Sequence, residues 1–189
     1  MKSGGSSRRL QLKAWIFLAV LACFFVYANV TAETGVYRAD VSILPDGKFL
    51  PAFAKDIAAA KKSIYIAIYM FKSYDNEKNG AGLILASLRN AAERGVDVHV
   101  VLDSSDDGDF VEKENRETGA GLAKAGIKVT YDDPKVRLHS KCAVIDGQIT
   151  YIGSHNYTNS ALFHNKEVTV RIVSPEAAND ALGHIQSIK

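Results

Sequence analysis

His139 and Lys141 stand two residues apart within Leu138 to Ile145, a stretch whose apolar and β-branched residues predict a strand. Side chains at i and i+2 of a strand share a face, so an imidazole and an ammonium project together while Ser140 and Cys142 face the other way. Asp146-Gly147 follows, a strong signal for a tight hairpin turn. Beyond that turn, Ser154 and Asn156 repeat the i, i+2 arrangement at the end of a partner strand predicted over Gln148 to Gly153. Glu167 opens the next predicted strand, Glu167 to Val173, from which a carboxylate can reach toward the imidazole. Imidazole, ammonium, hydroxyl, amide and carboxylate thus converge where strands end, which is the set needed to hold and attack a phosphate. A neutral imidazole is an adequate nucleophile near pH 7, and a covalent intermediate divides one hard displacement into two easier ones.

The elements that must position this set alternate in type. Ile64 to Phe71 is almost wholly apolar, β-branched or aromatic, as expected of a strand buried on both faces. Before it, Leu50, Phe53 and Ile57 recur at helical spacing; after it, Ile84, Leu85, Leu88, Ala91 and Ala92 form a second helical stripe that stops at Gly95. Val96 to Leu102 reads as another buried strand. A third helix runs from the charged stretch into Gly119 to Ala125, and a short strand follows at Ile127 to Tyr131. Pro175 begins a last helix carrying Ala178, Leu182 and Ile185. The β-α-β order with short connections calls for parallel strands covered by helices. With the hairpin added, the expectation is a single α/β domain built on a mixed, largely parallel β-sheet flanked by helices on both faces.

At 189 residues the chain can bury one substantial core but is short for two. Residues 1–32 resemble no domain: Lys2, Arg8, Arg9 and Lys13 precede the apolar run Ala14 to Tyr27, and Val30-Thr31-Ala32 fits a signal-peptidase site. The alternative is an uncleaved membrane anchor over Ala14 to Val30, at the lower limit of spanning length. Either reading exports residues 33–189 from the cytoplasm, to the periplasm or beyond, because the basic cluster stays inside. The membrane is a partner only through the N-terminal segment, and only if that segment stays uncleaved. Loss of residues 1–32 removes four basic and no acidic side chains, turning the formal charge from +2 to −2. Composition therefore gives no independent sign of a polyanion partner. One cysteine, Cys142, remains after that cut, which excludes a disulfide within the mature chain.

The run His139-Ser-Lys141, four residues, Asp146, six residues, then Gly153-Ser154-His-Asn156 resembles the signature of the phospholipase D superfamily. Ser63 to Tyr69, Arg94-Gly-Val-Asp-Val and Tyr151 to Thr158 are similar to its small bacterial endonuclease branch. The resemblance implies a phosphodiesterase that needs no metal and no cofactor, with His139 as nucleophile passing through a phosphohistidine. It implies that Glu167 orients the His139 ring and that Lys141, Ser154 and Asn156 donate to the non-bridging oxygens. Asp146 belongs to the motif and so to the expected catalytic set, although its place in a turn suggests a structural part. The family's general acid is a second histidine from a second copy of the motif. The only other His-x-Lys, His164-Asn165-Lys166, has Arg171 where aspartate is required and no Gly-Ser after it. A single copy implies a two-fold homodimer with both His139 residues at the axis.

The expected substrate is nucleic acid, DNA first and RNA second; a phospholipid is the alternative, favoured if the N-terminus holds the site near a bilayer. Six acidic residues between Asp106 and Glu117, and the pair Asp132-Asp133, count against a polyanion if they line the cleft. Asp103, Ser105, Asp107, Gly108 and Glu114 loosely match a calcium loop. They follow a strand where such a loop requires a helix, so they are read as a solvated acidic loop. His155 is read as a variable motif position and Tyr65, Tyr69 and Phe71 as sheet core.

Overall fold

The computed structural model describes residue 15 and residues 35–73 and 79–188. The chain divides into Met1–Val36 and Tyr37–Lys189. The signal or anchor expected over residues 1–32 lies outside the described residues, Trp15 aside. Among the described residues no helix is long and apolar enough to cross a membrane.

The second unit runs β1 (Asp40–Pro45), a 3-10 turn (Asp46–Lys48), α1 (Phe49–Ala59), β2 (Ser63–Ile68), α2 (Gly80–Glu93), β3 (Asp97–Leu102) and α3 (Phe110–Lys124). It continues through β4 (Lys128–Tyr131), β5 (Lys141–Ile145), β6 (Ile149–Gly153), α4 (Asn159–Phe163), β7 (Val168–Val173) and α5 (Pro175–Ser187). The strands form one seven-stranded sheet in the order β1-β7-β6-β5-β2-β3-β4. The mixed α/β sheet of the sequence reading holds, but its largely parallel character does not. Parallel pairing is confined to β2-β3 and β3-β4, where helices make the crossovers. The β5-β2, β5-β6, β6-β7 and β7-β1 pairs are antiparallel. The physical reason is the β4–β5 connection: it contains no helix, crosses to the other side of β2, and delivers β5 in the reverse direction.

Strand alternation divides the core in two. Ile64, Ile66 and Ile68 of β2, all 0% exposed, meet Phe53 and Ile57 of α1, Ile84 and Leu88 of α2, and Leu122 of α3. Each such side chain contributes about 1.5–3 kcal/mol on burial. On the opposite face Ala67, Val101, Cys142 and Val144 are covered by Ala178 and Ile185 of α5. Helix starts are fixed locally by side-chain caps: Asn79 accepts from the Gly82 N–H at 2.6 Å and Asp109 from the Glu112 N–H at 2.9 Å. Helices therefore do cover both faces, four on one and α5 alone on the other.

The hairpin turn forms where Asp146-Gly147 predicts it, with φ of 54° and 63°, the pair of left-handed conformations a two-residue turn requires. The short strand β1 and helix α4 carry too few periodic residues to be read in advance. β1 pairs with β7 along its whole length and forms one edge of the sheet.

Candidate active site

All the motif residues except Asp146 gather at one end of the sheet. Lys141 opens β5 opposite Ile68, the last residue of β2, and the Tyr69 N–H donates to the Ser140 carbonyl at 3.0 Å, extending that ladder by one residue. Gly153 closes β6 opposite Thr169 near the start of β7. This is also the carboxyl end of the parallel strands β2, β3 and β4, where open α/β sheets place their ligands.

The strand holding Lys141 begins at Lys141 itself, so His139 sits in the irregular segment just before it rather than within a longer strand. His139 is exposed, and its ring lies 4.8 Å from that of Tyr69, tilted by 56°. Lys141 Nζ stands over the same Tyr69 ring at 4.9 Å and donates to the His139 carbonyl at 2.9 Å. The positive charge of Lys141, then partial burial, then the charge of Arg137 lower the His139 pKa below its ordinary value. The imidazole is thereby kept neutral at pH 7, as a nucleophile must be. Burial lowers the Lys141 ammonium as well, opposed by the nearby carboxylates of Glu167 and Asp103.

Ser154 is locked to β7 in both directions: its N–H donates to the Val168 carbonyl and its Oγ accepts from the Val168 N–H, each at 3.0 Å. Gly153 is required just before it, because a Cβ there would meet the backbone of Thr169 at 2.5 Å. Asn156 carries a buried Oδ1 that meets no hydrogen-bond donor among the described residues. A buried acceptor in that state costs about 1–3 kcal/mol.

Glu167 is brought to the same end but not onto His139. Its Oε1 accepts from Asn165 Nδ2 at 2.9 Å, and its backbone is pinned to the Asp46 carboxylate and N–H at 3.0 and 2.9 Å. Among the described residues no hydrogen bond joins Glu167 to His139; its field acts on Lys141 and His155 instead. Asp146, expected in the catalytic set, is placed at the far end of β5. The whole of β5, Lys141–Ile145, lies between it and His139, about 17 Å of strand. Its carboxylate accepts from the N–H groups of Lys61, Lys62 and Ser63 at 2.7–3.0 Å, securing the start of β2. Burial alone raises its pKa, but those three donors outweigh it and the net shift is downward.

The supports of His139 come from residues the sequence reading passed over. Asp103, read as part of a solvated loop, is 2% exposed and accepts from the Leu138 N–H at 2.7 Å, one residue before His139. Asp132 is 7% exposed and accepts from the Ser104 N–H at 2.7 Å. Burial raises both carboxyls above their ordinary values. Asn115 of α3, 0% exposed, accepts from the Phe71 N–H and donates to the carbonyls of Tyr69 and Asp103, each at 2.9 Å. It ties the ends of β2 and β3 together beneath the site. His155 is no free motif position: it is 1% exposed, bonded to Thr169 Oγ1 at 2.8 Å and to the Asp46 carbonyl at 3.1 Å, and stacked on Phe49. A cavity of about 520 Å³ opens beside His139, between Asp132 to Ser140 and the end of α5, with Val136, Leu138 and Ile188 on its walls.

An exposed imidazole flanked by two cations thus stands at the carboxyl edge of the parallel strands. The chain belongs to the phospholipase D superfamily, its residues 53–189 matching the family described as "Cardiolipin synthase, PLD-like domain". A cardiolipin synthase of Staphylococcus aureus (strain N315) is 34% identical over 126 residues, 67% of this chain and 24% of that protein. Cardiolipin synthase 2 of Bacillus anthracis is 31% identical over 166 residues, 83% of this chain and 30% of that protein. The chain thus spans under a third of the length of these curated relatives. Among solved structures, Nuc of Salmonella typhimurium, a phospholipase D family member, aligns with a TM-score of 0.67 at 27% identity, covering 80% of this chain and 94% of that one. NucT of Helicobacter pylori shares the fold, with a TM-score of 0.62 at 20% identity over 80% of this chain and 96% of that one.

Proposed function

We propose that this chain is a phosphodiesterase that hydrolyses nucleic acid through a covalent intermediate on His139, acting outside the cytoplasm as a two-fold homodimer. The observation that carries the chemistry is the pairing of exposed His139 with Lys141 across the Tyr69 ring. In the first step a ring nitrogen of His139 bonds to phosphorus and the ester P–O bond breaks. The leaving oxygen takes a proton from the second subunit's copy of the same histidine. In the second step that histidine accepts a proton from water, the hydroxyl adds to phosphorus, and the P–N bond opens to free His139. Lys141, Ser154 and Asn156 donate to the non-bridging oxygens, where charge grows in both transition states. Residues 1–189 hold one copy of the motif, and in this reading a second copy of the chain supplies the second histidine.

Nucleic acid is favoured over lipid because the stretches around the motif resemble the small bacterial endonuclease branch, whereas the cardiolipin synthases are matched over a minor part of their length. The second reading, a phospholipid substrate, is supported by the apolar walls that Val136, Leu138 and Ile188 give the cavity beside His139 and by the names of those relatives. Incubation of the purified protein with plasmid DNA and with cardiolipin vesicles, both in EDTA, separates the two. Cleaved DNA with intact lipid is expected; lipid turnover with intact DNA reverses the assignment. His139→Asn should abolish turnover while sedimentation still finds a dimer, and retained turnover removes His139 as nucleophile.

A further inference from the structure

Beside the motif stands a cation the phosphate chemistry above leaves unused. Arg137 precedes His139 by two residues, and its guanidinium reaches back over the residue that His139 and Lys141 both touch. Its Nη1 donates to the Tyr69 hydroxyl at 2.8 Å and its Cζ lies 5.5 Å from the ring centroid. Tyr69, expected as plain sheet core, is therefore a post around which an imidazole, an ammonium and a guanidinium are arranged. Its own backbone is held from below, since its carbonyl accepts from buried Asn115.

The Arg137 side chain is 54% exposed, and the carboxylate nearest to it, that of Asp109, is 3.8 Å from Nη2. That distance is beyond a hydrogen bond. An arginine offers five N–H donors in a planar fork that matches two phosphate oxygens. With one donor on Tyr69 and Asp109 beyond hydrogen-bond reach, the half-exposed fork keeps donors for an arriving substrate. Lys141 differs: it is turned inward onto the His139 carbonyl. The two cations thus address different places, Lys141 the atom under attack and Arg137 a position beside it.

We propose that Arg137 binds the phosphate adjacent to the scissile one on a polynucleotide, with Tyr69 holding its guanidinium in place. This rests on the nucleic-acid reading above and extends it to a substrate of at least two consecutive diesters. A nucleic-acid strand presents a phosphate at every nucleotide, so both positions fill at once. A diester with a single phosphate fills only the place served by Lys141. Asp109, which caps α3 through the Glu112 N–H, is the weak internal partner that the incoming phosphate replaces.

The test compares kcat/KM for trithymidylate and for bis(4-nitrophenyl) phosphate, which has one phosphate, at a pH on the plateau of each variant. Arg137→Ala is expected to lower the trinucleotide-to-nitrophenyl ratio by about tenfold or more, the range for losing a charge-assisted bond. Arg137→Lys, which keeps the charge and loses the fork, should fall between. Replacing one of the two trithymidylate linkages by a neutral methylphosphonate should slow wild type by a similar factor and leave Arg137→Ala no slower than it already is. An equal fall on both substrates, or a methylphosphonate penalty that persists in Arg137→Ala, overturns the assignment of Arg137 alone. Wild-type turnover of bis(4-nitrophenyl) phosphate with no cleavage of any oligonucleotide overturns the nucleic-acid reading and this proposal with it.

Discussion

Replacing Asn115 by leucine keeps the volume of a fully buried side chain and removes all three of its hydrogen bonds. The Phe71 N–H and the carbonyls of Tyr69 and Asp103 are then left in a dry core. A buried polar group without its partner costs about 1–3 kcal/mol, and carbonyls tolerate the loss better than N–H groups. The sum for one donor and two acceptors is about 3–5 kcal/mol, a large part of the roughly 5–15 kcal/mol that holds a domain folded. With a urea slope of about 2 kcal/mol per molar, the unfolding midpoint followed by far-ultraviolet circular dichroism should fall by about 1.5–2.5 M at unchanged slope. Activity of the remaining folded protein should fall too, because Tyr69 and Asp103, the two neighbours that fix His139 and Leu138, lose their common anchor. Asn115→Asp provides a second reading of the same contacts. It retains an acceptor for Phe71 but turns a carboxylate toward two carbonyls, so its own pKa rises on folding. That variant should gain stability as pH falls through the raised value, whereas Asn115→Leu should not. A midpoint shift under about 0.5 M for Asn115→Leu, near 1 kcal/mol, would refute the view that this amide holds the ends of β2 and β3.

Two other outcomes follow from the buried and capped groups. Asp146→Ala removes the acceptor of three backbone N–H groups and should destabilise by about 1.5–3 kcal/mol, with kcat on bis(4-nitrophenyl) phosphate kept within about threefold, since the residue lies far from His139. Its folded pKa is lowered, so its stabilisation is present above the ordinary carboxyl pKa and is lost as pH falls through the folded one; acid titration of wild type against the variant should show the two curves converging at low pH. Cys142, whose thiol burial pushes up to about 11, should resist alkylation at pH 8 in the native protein and react at once in urea; native labelling at the free-thiol rate would place it outside the core.

What the sequence made legible is what is local to one strand or one turn. The spacing of His139 and Lys141, the Asp146-Gly147 hairpin and the return to Ser154 and Asn156 are consequences of strand period and turn chemistry, and both are written in adjacent residues. The direction of β5 is not local. It depends on where the β4–β5 connection crosses, and that is decided by packing, so the antiparallel pairing of β5 with β2 stayed hidden. The same holds for the residues that support His139. Asp103 is 35 positions from Leu138 and Asn115 is 46 from Tyr69. An aspartate after a strand and an asparagine in a charged helix look solvated until the fold brings a backbone N–H or carbonyl to them. His155 reads as an incidental motif position because its partners, Thr169 and Asp46, arrive from β7 and from the turn before α1.

Acidic residues near the motif weigh against a polyanion only if their charge faces the cleft, and their placement bears directly on that objection. Asp103 and Asp132 are turned inward onto backbone N–H groups, and burial raises both carboxyls. Glu112 pairs with Arg116 at 2.5 Å and accepts from the Ser105 N–H, and Glu114 pairs with Lys72 at 3.0 Å. Asp109 is occupied as a helix cap. Of the acidic residues counted against nucleic acid, Asp106, Asp107, Glu117 and Asp133 remain exposed, and Asp133 accepts from the Lys135 N–H. Lys141, burial and Arg137 lower the His139 pKa, while Asp132 and Asp133 line the cavity beside it. A negative net charge for residues 33–189 is thus compatible with cations gathered at His139, because Asp103 and Asp132 serve the backbone that positions it.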